Sequence, residues 1–201
     1  MFLLAAVLVA ARAETIDRIA VSVANRVITS SDIDRQIRVA AFLSGTKPDF
    51  SPAAKRAMAD RMVEYTLVRR EIETSQYPVH GVAEIEPALA DFRQQYYKSD
   101  EAYYEALAQY GIAEPDVKDE LLRERALNAF LEVRFKPAVQ VTDSEVQAYF
   151  EKNFPAGSRL DDVRDRIEQT LTEQRVDQEV NAWLERARGR NEIVYHQEAL
   201  Q

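Results

Sequence analysis

Two histidines, one run of aspartates and a concentration of tyrosines are the residues through which this chain could do chemistry. His80 and His196 are its only histidines. A general base or a metal ligand needs a second titratable group beside it. His80 follows Pro78-Val79 in a loop pattern, and His196 ends a short β-branched run, so each reads as a surface histidine. Asp161-Asp162-Val-Arg-Asp165 is dense enough for a carboxylate pair or a metal site. Inside a charged amphipathic helix it reads instead as a solvated face, with pairs such as Asp162–Arg166. The chain has no cysteine, which removes thiol catalysis, disulfides and Cys-ligated zinc together. The spacings of a nucleophile elbow, a phosphate loop, a zinc-binding helix and a calcium loop are all missing. The sequence therefore predicts no catalytic residue, no metal and no cofactor.

The aromatic residues point elsewhere. Tyr96, Tyr97, Tyr103, Tyr104 and Tyr110 fall within one short stretch, and Phe42, Phe92, Phe130, Phe135, Tyr149 and Phe154 add to them. At helical spacing such residues serve as core. Adjacent pairs such as Tyr96-Tyr97 and Tyr103-Tyr104 cannot both face inward, because successive helical residues point in different directions. Some tyrosine surface must be exposed. A tyrosine ring can hold an apolar side chain while its hydroxyl stays wet. Phe42, Tyr96, Tyr97, Tyr103, Tyr104, Phe130 and Phe135 are the candidate peptide-binding residues. Met58 and Met62 could adapt to varied ligands, but their spacing favours the core.

Elements that would position these residues follow from the apolar pattern and its breakers. The run Ile16 to Ile28 reads as a hairpin turning at Asn25-Arg26. Ser31 and Asp34 offer a capping-box variant for a helix from about Ser31 to Leu43, ended by Gly45 and Pro48. Ser51-Pro52 opens a second helix, closed by Pro78 and Gly81. A third covers Ala83 to Tyr97, and a fourth runs from a Ser99 cap to Tyr110 and Gly111. Pro115 opens a longer one ending at Pro137. Thr142 and Glu145 form a capping box for the next. Ser158, with Asp161 as its acid, caps a last long helix that Gly189 ends, and Ile193 to Tyr195 reads as a final strand.

Composition agrees with a globular chain of 201 residues, 46% hydrophobic and 30% charged. A net charge of −8 disfavours nucleic acid and anionic membrane as partners. Met1 to Ala13 is mostly apolar and ends Ala11-Arg-Ala13, an A-x-A signal ahead of Glu14, although no basic residue precedes the apolar run. It is shorter than the roughly 20 apolar residues of a membrane span, and no other segment qualifies. The expectation is a chain exported through a signal peptide cleaved near Ala13, with no stable membrane insertion.

Five segments resemble the SurA-type periplasmic chaperone and parvulin peptidyl-prolyl isomerase family, one of them the Trp183-Leu184 helix with its Arg-rich end and the β-branched strand after it, which match its C-terminal return segment. Ile19-Ala-Val-Ser-Val-Ala-Asn25, Val27-Ile-Thr29 and Asp32-Ile-Asp34 match its opening signature. Met62 to Glu71 holds the place of its second helix. Tyr103, Leu107, Gly111, Ile112 and Leu121 fill its short-helix, Gly-Ile, long-helix segment. Val141-Thr-Asp-Ser-Glu-Val-Gln-Ala-Tyr-Phe150 matches the helix that leads into a parvulin domain in two-domain members. That domain, which the resemblance implies at roughly 90 to 100 residues, has no room in the short run from residue 155 to 159. No stretch resembles its "H-I-L" opening or "G-G-x-L-G" turn.

The resemblance implies a mainly α, multi-helix chaperone core with a small antiparallel sheet made from the N-terminal hairpin and the C-terminal strand. Its parts would be a signal peptide (1–13), a helical chaperone domain (14–154), a hinge at the empty insertion point (155–159) and a long helix and strand packing back on the core (160–201). The implied function is a non-enzymatic, ATP-independent periplasmic holdase for unfolded exported polypeptides such as outer-membrane protein precursors. Two alternatives stand beside it. One is a divergent or accessory prolyl isomerase. The other is an assembly scaffold with one dedicated partner, dimeric by exchange of the last helix.

Overall fold

The computed structural model describes residues 17–75, 85–155 and 157–201. The expected signal segment, the start of the hairpin at Ile16, Pro78, His80 and Gly81 lie outside them. Among the described residues, β1 (Ile19–Val23) and β2 (Arg26–Thr29) precede seven helices. These are α1 (Ser30–Ser44), α2 (Pro52–Ser75), α3 (Ile85–Tyr96), α4 (Asp100–Tyr110), α5 (Glu114–Arg134), α6 (Asp143–Asn153) and α7 (Arg164–Arg190). Strand β3 (Ile193–Tyr195) follows and pairs antiparallel with β1, giving the sheet order β2-β1-β3. The expected mainly α fold with a small antiparallel sheet is what forms.

Inward-facing Val21, Val23 and Ile28 set the hairpin register. That register pairs Val23 with Arg26, so the turn is Ala24-Asn25 rather than Asn25-Arg26, and Ala24 takes the positive φ of 51°. On the other face Ser22 lies between Val27 and Val194 in one cross-strand row. Both valines are exposed.

Strand β2 runs straight into α1, which moves the cap two residues back from the expected Ser31–Asp34 pair. The Asp32 amide donates to Thr29 Oγ1 at 3.2 Å, and the Thr29 amide donates to Asp32 Oδ2 at 3.1 Å. Gly45, at φ +64°, closes the helix in the left-handed conformation that glycine adopts without strain. The Ser51 cap of α2 forms as expected, its Oγ accepting from the Ala54 amide, as does the Ser99 cap of α4.

Helices α1 and α5 each serve two cores. Ile33 and Ile37 of α1 and Phe130 of α5 join the sheet, Ala59, Val63 and Leu67 of α2, and Trp183 of α7 in the first. Val39 and Phe42 of α1 and Val117 of α5 join Leu89, Tyr103 and Leu107 in the second. The C-terminal half of α7 and β3 thus lie on N-terminal elements. A polar lock reinforces this seam. The Tyr195 hydroxyl donates to Asp60 Oδ1 at 2.5 Å, Arg188 Nη2 donates to Glu64 at 2.9 Å, and the Arg56 guanidinium lies 3.8 Å from the centre of the Tyr195 ring.

Both ends of α7 differ from the sequence reading. Residues Leu160–Asp162 form a 3-10 turn, and the helix begins only at Arg164 without a side-chain cap. Consecutive aspartates and Val163 are weak helix formers. From Arg164 onward the Arg164–Glu168 pair (3.0 Å) and buried Ile167 support the helix. Asp162 does not meet Arg166, which instead lies 5.4 Å from the Phe154 ring centre. Gly189 sits inside the helix. Arg188 is anchored across to α2, and the Asn191 amide side chain caps the Ala187 carbonyl at 2.8 Å, so the end falls at Arg190.

The α6 capping box also joins α6 to α7. The Thr142 amide and hydroxyl donate to Glu145 Oε2 at 2.8 and 2.7 Å, and the Arg175 guanidinium donates to its other oxygen. The Thr142 bonds first, then Arg175, hold the Glu145 carboxyl down at about 2. The folded value lies below the ordinary one, so this contribution is complete above about 4.5 and is lost as the pH falls from there through about 2. Amide protection in α6 is expected to fall across that window. In Glu145→Gln the protection should already be reduced at neutral pH and show no further step. Hydrogen exchange with mass spectrometry reads this, and a wild-type α6 unaffected down to pH 2 would exclude it.

Candidate polypeptide-binding site

The structure separates the seven aromatic candidates. Phe42 and Tyr103 are buried in the second core, and Phe130 and Phe135 in the first. None of these four presents a surface to a ligand in this conformation, because each fills the seam between helices. Tyr97 is half-buried and stacks on Phe42 with ring centres 5.9 Å apart. Only Tyr96, 63% exposed, and Tyr104, 50% exposed, offer open rings. The expectation that adjacent tyrosines split between core and solvent is met by Tyr103-Tyr104. Tyr104 Oη donates to Glu114 at 3.2 Å.

Tyr103 is wholly buried, and its hydroxyl has no hydrogen-bond partner among the described residues. Burial first, then the nearby Glu114 carboxylate, pushes its phenol up to about 12. An unpartnered buried hydroxyl costs free energy. Tyr103→Phe keeps the ring contacts and removes that cost, so it should raise stability by roughly 1–2 kcal/mol. Urea denaturation reads this directly, and a lower midpoint in the variant would contradict it.

Among the described residues, the remaining chemistry-bearing side chains do not converge. His196 is half-buried at the end of β3, where its backbone amide serves the Ala20 carbonyl at 2.9 Å. Asp161 and Asp162 are exposed on the 3-10 turn. Among the described residues no cluster of histidine and carboxylates could hold a metal ion, and no helix is long and apolar enough to cross a membrane.

Two open grooves do present shaped surfaces. The larger, about 580 Å³, lies between α5 and α7. Its floor is only Leu131 and Val176, and its rim is acidic, with Glu132, Asp165, Glu168, Glu173 and Asp177 against Lys136. The other, about 410 Å³, is bounded by β2, α1, α2 and α5. Ile28, Ala40, Met58, Met62 and Tyr65 give it an apolar floor, and Arg26, Arg61, Arg69 and Arg123 stand around it with Asp32 and Glu120. Methionine suits such a floor because its unbranched thioether chain reshapes itself to different partners. Gln36, the buried polar residue of α1, donates to Glu120 at 2.5 Å, and Arg123 pairs with the same carboxylate. Arg123 also faces the Tyr65 ring, 4.9 Å from its centre, which fixes that wall.

This cleft was missed from the sequence, although half of its signal was there. Met58, Arg61, Met62, Tyr65 and Arg69 recur at intervals of three and four on α2, so one helix face carries both apolar and cationic groups. Read as a hydrophobic stripe alone, that face is simply core. Only the placement of β2 and α5 on either side turns it into a cleft. Compared with models of known protein families and with curated proteins, the chain matches none.

Proposed function

We propose that this chain is an ATP-independent holdase that binds unfolded polypeptide. The observation that carries the reading is the cleft beside β2. It has a deformable methionine floor, an aromatic wall, a cationic rim and open access along its length. Apolar floors with adaptable side chains hold many sequences weakly rather than one tightly. Exposed Tyr96 and Tyr104 supply further apolar contact outside it. Ordering a disordered client costs free energy on binding, so affinity is modest.

The sequence resemblance to the SurA-type family supports the compartment and the clients. On this reading the chain acts in the periplasm after removal of its first residues, on exported polypeptides such as outer-membrane β-barrel precursors, and without isomerase activity. The test is light scattering from a denatured β-barrel protein diluted into buffer, with and without the chain from Glu14. Suppression at near-stoichiometric ratio without nucleotide is the expected result. Undiminished scattering, with a known chaperone active in parallel, would overturn it.

A further inference from the structure

The free edge of β2 gives the cleft a defined mode of binding. The Ala24 amide donates to the Glu192 carbonyl at 2.9 Å, and the His196 amide donates to the Ala20 carbonyl at 2.9 Å. These two bonds set the phase of the β1–β3 ladder. Ser22, which pairs with Val194 midway between them, therefore turns its own N–H and C=O toward β3, because bonded and non-bonded pairs alternate along an antiparallel ladder. Across the other side of β1, Ser22 faces Val27. That pair is consequently non-bonded, and Val27 directs its N–H and C=O away from the sheet. Val27 lines the cleft. A chain lying there meets one donor and one acceptor that have no partner among the described residues, at the spacing of a strand partner.

Charge decides which chain fits. Arg26 and Arg69 both pair with Glu73, at 2.7 and 2.8 Å, and Arg123 pairs with Glu120. Arg61 has no acidic partner among the described residues. It stands where the cleft opens into a shallower trough of about 270 Å³ between α1 and α2, sharing Ala40 and Met58 with both. The small side chains of Ala40, Ala54 and Ala57 leave that trough open. Ser44, Thr46, Lys47 and Asp49 line the trough's polar side. A passage with an apolar floor continuing from an open strand edge, with the Arg61 guanidinium midway and no acidic partner for it among the described residues, is matched by a carboxylate among apolar residues.

We infer that this cleft binds an extended polypeptide segment in which apolar residues flank an acidic one. The backbone pairs reciprocally with Val27, the apolar side chains lie on Met58 and Met62, and the carboxylate meets Arg61. Strand addition of this kind takes affinity from the main chain and selectivity from alternate side chains. The inference rests on the reading of the chain as a binder of unfolded polypeptide and specifies what that binder selects.

The test uses fluorescent peptides of alternating valine and glutamate, a twin with lysine for glutamate, and a twin N-methylated at alternate residues. Anisotropy titrations against the wild-type chain, R61E and V27P read the affinities. Proline at position 27 removes the outward N–H, which the β1 ladder does not use, and replaces the Val27 side chain, so the N-methylated twin is the control that isolates the backbone pair. The expected result is binding of the acidic peptide, weakened about tenfold or more by R61E and by V27P. R61E should prefer the lysine twin, and the N-methylated twin should fail on every chain. If V27P does not fold, the N-methylated twin removes the same backbone pair from the ligand side. Equal binding of both charge twins to wild type, an acidic peptide indifferent to R61E, or a dimer that R61E dissolves would overturn the inference, the last in favour of a second copy as occupant. Scattering suppression measured on the same chains separates the two readings. A wild type that suppresses scattering yet ignores the acidic peptide loses this inference and keeps the holdase.

Discussion

Phe130→Ala is expected to remove about 3–5 kcal/mol from the stability of the folded chain. Phe130 is fully buried where α5 meets α7, with ring centres 5.6 Å from Phe135 and 5.4 Å from Trp183. The Arg134 guanidinium lies 5.9 Å from its ring centre and covers the three-ring cluster from outside. The three rings hold α7 against the sheet and α2, so the loss loosens the whole return of the C-terminal segment. Trp183 is the only tryptophan, so its emission reports the site without labelling. Denaturant titrations followed by circular dichroism and by Trp183 fluorescence should show a lower midpoint, with native emission shifted to the red. A loss below about 1 kcal/mol would mean that this ring does not carry the seam.

Phe42→Ala is expected to cost a similar amount, about 3–5 kcal/mol, but in a different part of the molecule. The Phe42 ring contacts Phe92, Tyr97, Tyr103 and Tyr110 with centres 5.5 to 6.0 Å apart. It is the hub through which α1 holds α3 and α4. Hydrogen exchange should therefore accelerate first in α3 and α4, while the sheet and α7 keep their protection. The same variant separates core from binding surface. As a core residue, Phe42 should affect client binding only through unfolding, so scattering suppression well below the variant's melting temperature should be unchanged. Loss of suppression by a fully folded Phe42→Ala chain would return the aromatic cluster to the role that the sequence suggested for it.

Much of the fold could be read along the chain, because the devices that start and stop helices are local. Ser51-Pro52, Ser99, Gly45, Gly111 and the Thr142–Glu145 box act within four residues of themselves, and each stands where the pattern placed it. Three of the departures share a cause. The α1 cap moved to Thr29 because β2 extends to that residue, the turn moved to Ala24-Asn25 because the ladder claims Arg26, and Gly189 stayed helical because Arg188 is tied to α2. In each case a pairing with another element outweighed a local preference worth about 1 kcal/mol.

The candidate site divides the same way. Residue types and spacing alone determined a mainly helical chain with a small sheet, and required that its paired tyrosines split between core and solvent. They also supplied the alternating valines of the hairpin and the methionine and arginine face of α2. Which aromatics fill the two cores was decided only when α1 and α5 packed on both. The outward-turned Val27, the unpartnered Arg61 and the cleft between them exist only once β2, α1, α2 and α5 are assembled. Local patterning fixes which face of an element is apolar, whereas a groove is the space that several such faces leave between them.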